Sequence, residues 1–317
     1  MLRVAIVGCG AHARAQHAVP LARYAAERPG EIALVAACDV LVERAERFCE
    51  EYGFAKAYDD LDAMLEDAAP DAVACLVPPE AVAKVGAGLL ERGVPCLIEK
   101  PPGLTRSEAQ SLLKAAESTG TPHMVSMNRR FVPHLNRALA WAREQGEIVA
   151  LRGVMARHGR IEPDFIVGTG VHIVDAMRHL GGEVARVEID RRRVGEADWY
   201  TLQLRFASGA SGMIDVFPTA GFNIERYELY GEGFSAAVTV PTGSRAEEGT
   251  LCFRRRANVI AEEANDAGAP LDVACGADAE TRAWIAALRS HGPFFPTLAD
   301  VYESLRICFD CFEQPLR

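Results

Sequence analysis

The chain has 317 residues, with 34 Lys+Arg against 44 Asp+Glu and a formal charge of −10. At roughly 100–200 residues per domain that length predicts two domains, each able to bury a core of its own. Apolar residues at 49% and charged residues at 25% fit an ordinary globular protein. The acidic balance argues against a nucleic-acid partner, because phosphate neutralisation needs clustered Lys and Arg. The two dense basic runs, Arg191 to Arg193 and Arg254 to Arg256, lie in alternating strand-like stretches and read as solvated sheet faces.

The apolar run that opens the chain is too short for a signal-peptide core, and no stretch approaches the ~18 uninterrupted apolar residues of a membrane span. The expectation is a cytoplasmic protein with no membrane partner. Nine cysteines, an odd count scattered through apolar segments, read as reduced, buried thiols. Cys308 and Cys311 have CxxC spacing, but no second pair or nearby His completes a site. Flanking Val301, Leu305, Ile307 and Phe312 predict a core helix there, and no metal is expected.

Along the chain, strands are predicted at Val4 to Val7, Ile32 to Cys38, Ala72 to Leu76 and Pro95 to Ile98. Helical spacing fills Ala13 to Arg28, Glu43 to Tyr52, Leu61 to Asp67 and Ala81 to Arg92. Strands that alternate with helices imply right-handed crossovers and a doubly wound parallel sheet. A helix from Ser107 to Thr119 follows, stopped by Gly120-Thr121-Pro122. After Pro122 come a short strand at Val125 to Met127 and a helix at Leu135 to Gln145. Strand-like segments then run consecutively: Ile148 to His158, Val184 to Val194, Trp199 to Phe206, Ser211 to Phe217, Ile224 to Tyr230 and Leu251 to Arg255. Ala207 to Ala210 reads as a hairpin connection. Ala257 to Gly276 reads as a surface loop, and two helices, Ala279 to Ser290 and Leu298 to Glu313, close the chain. The fold class is α/β, with an N-terminal Rossmann domain over residues 1–122. A C-terminal α+β domain with a large, mostly antiparallel sheet covers residues 123–317.

The first strand runs into Gly8-Cys9-Gly10-Ala11-His12-Ala13, a GxGxxA turn that opens a helix. Gly8 permits the tight turn, Gly10 lets backbone approach a pyrophosphate, and Ala13 lets the helix pack close to the strand. The amide groups at Ala11 and His12 begin the helix end that faces the phosphates. Asp39 ends the second strand, where a carboxylate accepts hydrogen bonds from ribose hydroxyls and repels a 2′-phosphate, so NAD is favoured over NADP. The gap from Ala13 to Asp39 exceeds the usual ~20 residues, and the Glu27 to Glu31 turn accounts for it. The alternative for Asp39 is a strand-end cap.

The fourth strand leads into Glu99-Lys100-Pro101. In an open parallel sheet ligands sit beyond the carboxyl ends of the strands, so Lys100 points into the cofactor crevice. The second domain carries Gly170-Val171-His172-Ile173-Val174-Asp175. The glycine turn, the Glu-Lys-Pro and this Gly-x-His-x-x-Asp helix, in that order, resemble the glucose-fructose oxidoreductase, inositol dehydrogenase and rhizopine-catabolism (Gfo/Idh/MocA) family over essentially the whole chain. The resemblance implies an NAD(P)-dependent oxidoreductase that moves a hydride between nicotinamide and a secondary alcohol or ketone of a sugar, cyclitol or related polyol. It also implies a homo-oligomer, a dimer or tetramer paired through exposed sheets. By resemblance Lys100 stabilises charge on the reacting oxygen, or anchors the nicotinamide ribose, and His172 exchanges the hydroxyl proton. Glu99, Pro78 and Pro79 fall on the cofactor side. Asp175, three residues after His172, shares its helix face and either orients the imidazole or serves as a cap or ion-pair partner.

Two departures from the family stand out. Many members carry an aspartate four residues before the histidine, where this chain has Gly168; Asp164 is the nearest replacement, its alternative being an exposed loop carboxylate. Family members often have Pro-Asn-x-x-His where this chain has Pro78-Pro79-Glu80-Ala81-Val82, so the two prolines alone carry over. Asn128-Arg129-Arg130-Phe131 resembles the family's arginine-bearing segment. Arg129 or Arg130 would then contact the nicotinamide end or an anionic substrate, the other being a surface ion-pair partner. Two rival readings remain beside a dehydrogenase: an enzyme that retains NAD for a transient oxidation, as similar-looking glycosidases do, and a non-catalytic dinucleotide sensor.

Overall fold

Short apolar runs in the first part of the chain assemble as parallel strands. They are β1 (Leu2–Val7), β2 (Ile32–Cys38), β3 (Ala57–Tyr58), β4 (Ala72–Cys75), β5 (Cys96–Ile98) and β6 (His123–Val125), in the order β3-β2-β1-β4-β5-β6. Every residue of β4 and β5 is buried, as parallel strands covered on both faces require. The order reverses between β1 and β4, the topological switch point at which doubly wound sheets bind ligands. This computed structural model describes residues 1–242 and 245–316.

The crossovers are helical. α1 (Ala11–Ala13) continues through a π-turn (Arg14–Ala18) into α2 (Val19–Glu27), followed by α3 (Val42–Tyr52), α4 (Leu61–Ala68), α5 (Pro79–Glu91) and α6 (Arg106–Thr119). Local chemistry sets their ends. Asp60 caps α4 by accepting from the Ala63 amide at 2.8 Å, and Thr105 with Glu108 forms a capping box at the start of α6.

A second sheet has eight strands: β7 (Ala150–Ala156), β8 (Val184–Val194), β9 (Ala197–Phe206), β10 (Ser211–Phe217), β11 (Ile224–Gly231), β12 (Phe234–Thr239), β13 (Thr250–Arg255) and β14 (Asn258–Ala264). Their order is β14-β13-β12-β11-β7-β10-β9-β8, antiparallel at every pairing except β7 with β10. Alternation selects the buried face: Tyr200, Leu202, Leu204 and Phe206 of β9 point inward while Gln203 and Arg205 are exposed. With this sheet go α7 (Pro133–Gln145), α8 (Phe165–Gly168), α9 (Val171–Gly181) and α10 (Leu271–Ala274). Gly153 on β7 lets α9 come close, since a Cβ there would stand 3.1 Å from both Ile173 Cδ1 and Met177 Sδ.

Two regions differ from expectation. Residues 257–276 hold β14 and α10 rather than a plain loop. β14 is an edge strand exposed along most of its length, so it shows no apolar alternation. Its hairpin turn uses Arg256 and Ala257 at positive φ (48° and 67°), where Asn-Gly would have signalled it. Neither β12 nor the two-residue β3 has a counterpart among the expected strands.

The chain divides into two compact units: Met1–Met127 with Ala277–Tyr302, and Asn128–Gly276 with the residues from Glu303 onward. The boundary expected from sequence lies at residue 122 and assigns everything after it to the second domain. Here α11 (Ala277–Ser290) and the first turn of α12 (Leu298–Glu313) go with the first unit. The cause is packing against α2, reinforced by Arg23 to Asp278 at 2.9 Å and Arg282 to Glu27 at 2.8 Å. Trp284 of α11 is fully buried. Trp284→Ala should therefore destabilise the first unit by about 3–5 kcal/mol in chemical denaturation, and a loss under about 1 kcal/mol would mean that α11 is not part of its core.

Candidate cofactor and proton-transfer sites

In the first unit the strand ends form one row. Gly8 follows β1 and its amide donates to Cys38 O at 2.8 Å, and the Glu99 amide after β5 donates to Cys75 O at 2.9 Å. Gly8 has φ +92°, and a Cβ on it would stand 2.4 Å from the Leu76 carbonyl oxygen, so no side chain is tolerated there. Gly10 is the opposite case: nothing lies within 4 Å of where its Cβ would be, and the backbone is open to a bulky neighbour. Ala13 is buried against the sheet. A strand, a closed turn at Gly8, an open one at Gly10 and a following helix are the parts that a dinucleotide pyrophosphate requires.

Asp39 is buried after β2. Its Oδ2 accepts from the Cys9 amide at 2.8 Å and its Oδ1 from the Leu41 amide at 3.0 Å. The carboxylate thus braces the glycine turn directly, and each oxygen keeps a lone pair for a further donor. Pro78 and Pro79 open α5, with the Pro78 carbonyl accepting from the Ala81 amide.

Glu99 is a buried acidic residue of this unit. Its Oε2 lies 3.0 Å from His17 Nε2 and its Oε1 lies 3.3 Å from His12 Nε2. Burial alone would raise the Glu99 carboxyl, but the two imidazoles outweigh it and hold it well below the usual carboxylate range. His12 and His17 are five residues apart, which in an α-helix places side chains on different flanks. The π-turn between them, with i to i+5 bonding, brings both to Glu99. His17 Nδ1 is buried without a hydrogen-bond partner. The pattern is that of a neutral imidazole donating Nε2–H to Glu99, in agreement with burial lowering the His17 pKa against the pull of Glu99. These three side chains are also the one grouping among the described residues whose ligand atoms suit a metal ion. Lys100 follows Glu99 and is half-buried.

In the second unit His172 lies in the first turn of α9 and is 8% exposed. Asp175, one turn on, is fully buried in a bidentate pair with Arg130, at 2.7 Å from Nε and 2.6 Å from Nη2, and also accepts from Ser304 Oγ at 2.8 Å. Arg130 is therefore a core ion-pair partner, not a surface one. Arg129, expected beside cofactor or substrate, directs Nε and Nη2 to Glu225 at 2.7 and 3.1 Å and Nη1 to Asn128 Oδ1 at 3.2 Å.

Glu225 on β11 is the residue that sequence reasoning missed. It is fully buried and also accepts from Arg157 Nη2 at 2.5 Å and Tyr227 Oη at 2.8 Å. Burial would raise its carboxyl; Arg129 and Arg157, with a smaller contribution from His172, pull it far below the ordinary range. The one available signal was period two: Glu225, Tyr227 and Leu229 alternate with exposed Arg226 and Tyr230, so the glutamate falls on the inward face. A Cβ added at Gly168 would meet nothing within 4 Å, so the space beside it is open. Asp164 precedes α8 without a side-chain cap bond; its backbone carbonyl accepts from Val167 and Gly168. Cys308 and Cys311 are buried in α12, and burial pushes both thiols up, as core residues.

Residues 2–127 match the oxidoreductase family with an NAD-binding Rossmann fold, and residues 137–237 match the GFO/IDH/MocA C-terminal domain. The chain belongs to the Gfo/Idh/MocA family. It is 30% identical over 259 residues to inositol 2-dehydrogenase 4 of Saccharopolyspora erythraea, covering 76% of this chain and 75% of the relative. It is 29% identical over 202 residues to a D-apiose dehydrogenase of Paraburkholderia graminis, covering 57% of this chain and only about half, 53%, of that relative. In fold it is similar to a dehydrogenase from Clostridium difficile, with TM-score 0.84, 16% identity and 97% of each chain covered. Among the described residues no helix of this Gfo/Idh/MocA protein is long and apolar enough to cross a membrane.

Because burial lowers the His17 pKa in the folded chain, the unfolded chain binds more protons below about pH 6.5. The stability due to neutral His17 is complete above that pH and is lost as pH falls toward the folded value. His17→Gln, which keeps a donor for Glu99, should flatten stability over that window by at most about 1.4 kcal/mol per pH unit, measured by urea denaturation at stepped pH.

Proposed function

We propose that this protein is a dehydrogenase that moves a hydride between NAD and a secondary alcohol or ketone of a sugar, cyclitol or related polyol. The names of its relatives, inositol 2-dehydrogenase and D-apiose dehydrogenase, support the substrate class. When bound, the nicotinamide supplies the hydride acceptor or donor. Gly8, Gly10, Ala11, His12 and Ala13 would hold its pyrophosphate and Asp39 its adenosine ribose, which favours NAD over NADP. His172 takes the hydroxyl proton during oxidation and returns it during reduction. Lys100 stabilises negative charge on the reacting oxygen. Asp175 is left out of the chemistry, since Arg130 and Ser304 occupy its carboxylate.

The observation that carries this reading is the Glu99 anchor. The residue before Lys100 is bonded to two imidazoles of the helix that begins at the glycine turn, so the lysine and the cofactor turn are joined as one piece. Nine free cysteines accord with a reducing compartment. A second copy of the chain would cover the open face of the eight-stranded sheet, where Arg152, Met213 and Tyr230 are exposed.

Thermal stabilisation by NAD, NADH and their phosphorylated forms, followed by a polyol panel with the best cofactor, tests the proposal. Lys100→Ala should lower turnover about 10²–10³-fold with the fold intact by circular dichroism, and a near-native rate would remove it from catalysis. Asp39→Asn, which keeps one acceptor but drops the charge, should reduce the NAD-to-NADP affinity ratio about tenfold in titration calorimetry; an equal loss for both cofactors would sink the ribose assignment.

A further inference from the structure

We propose that His12, His17 and Glu99 form a binding site for a divalent transition-metal ion of the zinc type. The site lies within the first unit and goes beyond the dehydrogenase reading, no part of which it needs.

The donor set points to the class of ion. Two imidazole nitrogens and a carboxylate suit zinc, cobalt(II) and nickel(II), whereas magnesium and calcium take oxygen ligands. Two ligands at about 2.0–2.1 Å from a tetrahedral ion stand about 3.3 Å from each other. Glu99 Oε2 lies 3.0 Å from His17 Nε2, and Glu99 Oε1 lies 3.3 Å from His12 Nε2. One ligand atom from each of the three residues lies within 4.8 Å of the other two. The carboxylate edges are thus already the size of a coordination sphere. Closing the edge between the imidazoles falls to His12, whose side chain is 55% exposed and has room to turn.

The backbone assembles this set by an irregularity. Metal-binding histidines on an α-helix stand four residues apart, on one face. His12 and His17 are five apart, and the π-turn Arg14–Ala18 brings both to Glu99. Single π-turns inside helices recur at functional sites. The spacing is therefore no known metal motif, and the third ligand comes from the end of another strand, 82 residues after His17.

Burial is graded across the three ligands. His17 and Glu99 are 1% and 6% exposed, while His12 faces solvent, so an ion enters past His12 and keeps a fourth position for water. His17 Nδ1 has no hydrogen-bond partner, so Nε2 is the one ring nitrogen through which His17 makes a polar contact. Coordination through Nε2 moves the ring proton to that unpartnered Nδ1. An outer-shell acceptor for such a proton is worth about 10–100-fold in affinity, and its lack predicts a Kd on the order of 1 µM instead of the far tighter binding of closed four-ligand sites. When bound, the ion replaces two hydrogen bonds with three coordinate bonds and fastens the end of β5 to the helix after β1.

The test titrates cobalt(II) into the full-length protein, freed of metal by chelator and desalted, with no dinucleotide present. One ion per chain should bind with the visible absorption of a low-coordinate cobalt site and be displaced by one equivalent of zinc, while magnesium displaces nothing. His12→Gln, a change at an exposed side chain that leaves the buried pair in place, should weaken binding by about 100-fold, more than the loss of an outer-shell partner costs. His12→Cys, which supplies a thiolate ligand, should retain the ion and add a sulfur-to-cobalt charge-transfer band in the near ultraviolet. Zinc should raise the thermal midpoint of the parent and of His12→Cys but not that of His12→Gln. Failure of the parent to bind cobalt or zinc below about 1 mM overturns the proposal. So does undiminished binding in His12→Gln, which would place the ion elsewhere, or a His12→Cys complex without the charge-transfer band. Metal binding in a protein that takes no dinucleotide would uphold this site and refute the dehydrogenase reading; turnover of a polyol with no metal bound would do the reverse.

Discussion

Two adjacent arginines tie the second unit together. Arg129 and Arg130 share one 3-10 turn and grip carboxylates on different elements, Glu225 on β11 and Asp175 on α9. Each grip is a two-point fork, so it fixes direction as well as distance, which a lysine could not do. The turn thereby holds the sheet and the helix at once. His172 sits one helical turn before Asp175, so the same fork that anchors Asp175 sets the rotation of α9 and hence the way His172 faces. Gly153 completes the arrangement by letting α9 press onto β7, and Ser304, which accepts from Arg178 and donates to Asp175, adds α12 to the same network.

The first unit solves the same problem with imidazoles in place of guanidiniums. Glu99 is buried, as Glu225 is, yet its partners are imidazoles, and one of them, His12, is more than half exposed on the glycine turn. The carboxylate links the end of β5 to the helix after β1, which are the two places where a dinucleotide site needs its lysine and its phosphate cradle. Asp39 adds a second brace by accepting from Cys9 within the turn itself. The geometry of the cofactor turn is thus held from both sides by carboxylates, even though its prospective ligand is an anion. The arrangement works because each carboxylate is directed at a donor in the protein, leaving the open backbone at Gly10 as the accessible surface.

Much of this was legible in the sequence because it is local. Strand and helix periodicity, the glycine turn, Asp39 at the end of a strand, Lys100 at the end of another and His172 with Asp175 on one helix face all depend on spacing along the chain. What stayed hidden depends on partners far apart. A glutamate within a strand reads as solvent-facing, so Glu225 became conspicuous only when β11 was seen to turn it inward between arginines 96 and 68 residues away. The Arg-Arg pair gave no hint of its division of labour. The amphipathic pattern of α11 showed that it buries a face but not that the face belongs to the first unit. The π-turn that aligns His12 with His17 leaves no periodic signature, because five residues are too few to show one.

Many charged side chains form a solvated envelope, among them the exposed pairs Lys56 with Asp67 and Arg92 with Asp62. Such charges are screened within about 10 Å at 0.1 M salt, so they bias approach more than chemistry. Anions removed from water stand at both proposed sites: Glu99 directly precedes Lys100 in the first unit, and Glu225 is buried in the second. Salt does not screen a buried neighbour to any comparable degree, and neither anion can be neutralised by a modest fall in pH, since both are held below the ordinary carboxylate range. An acidic protein can in this way present fixed local fields to an anionic cofactor and a polyol, independent of its surface charge, provided that every buried carboxylate keeps its donors. The matched anions are consequently a condition for the site as well as for the fold.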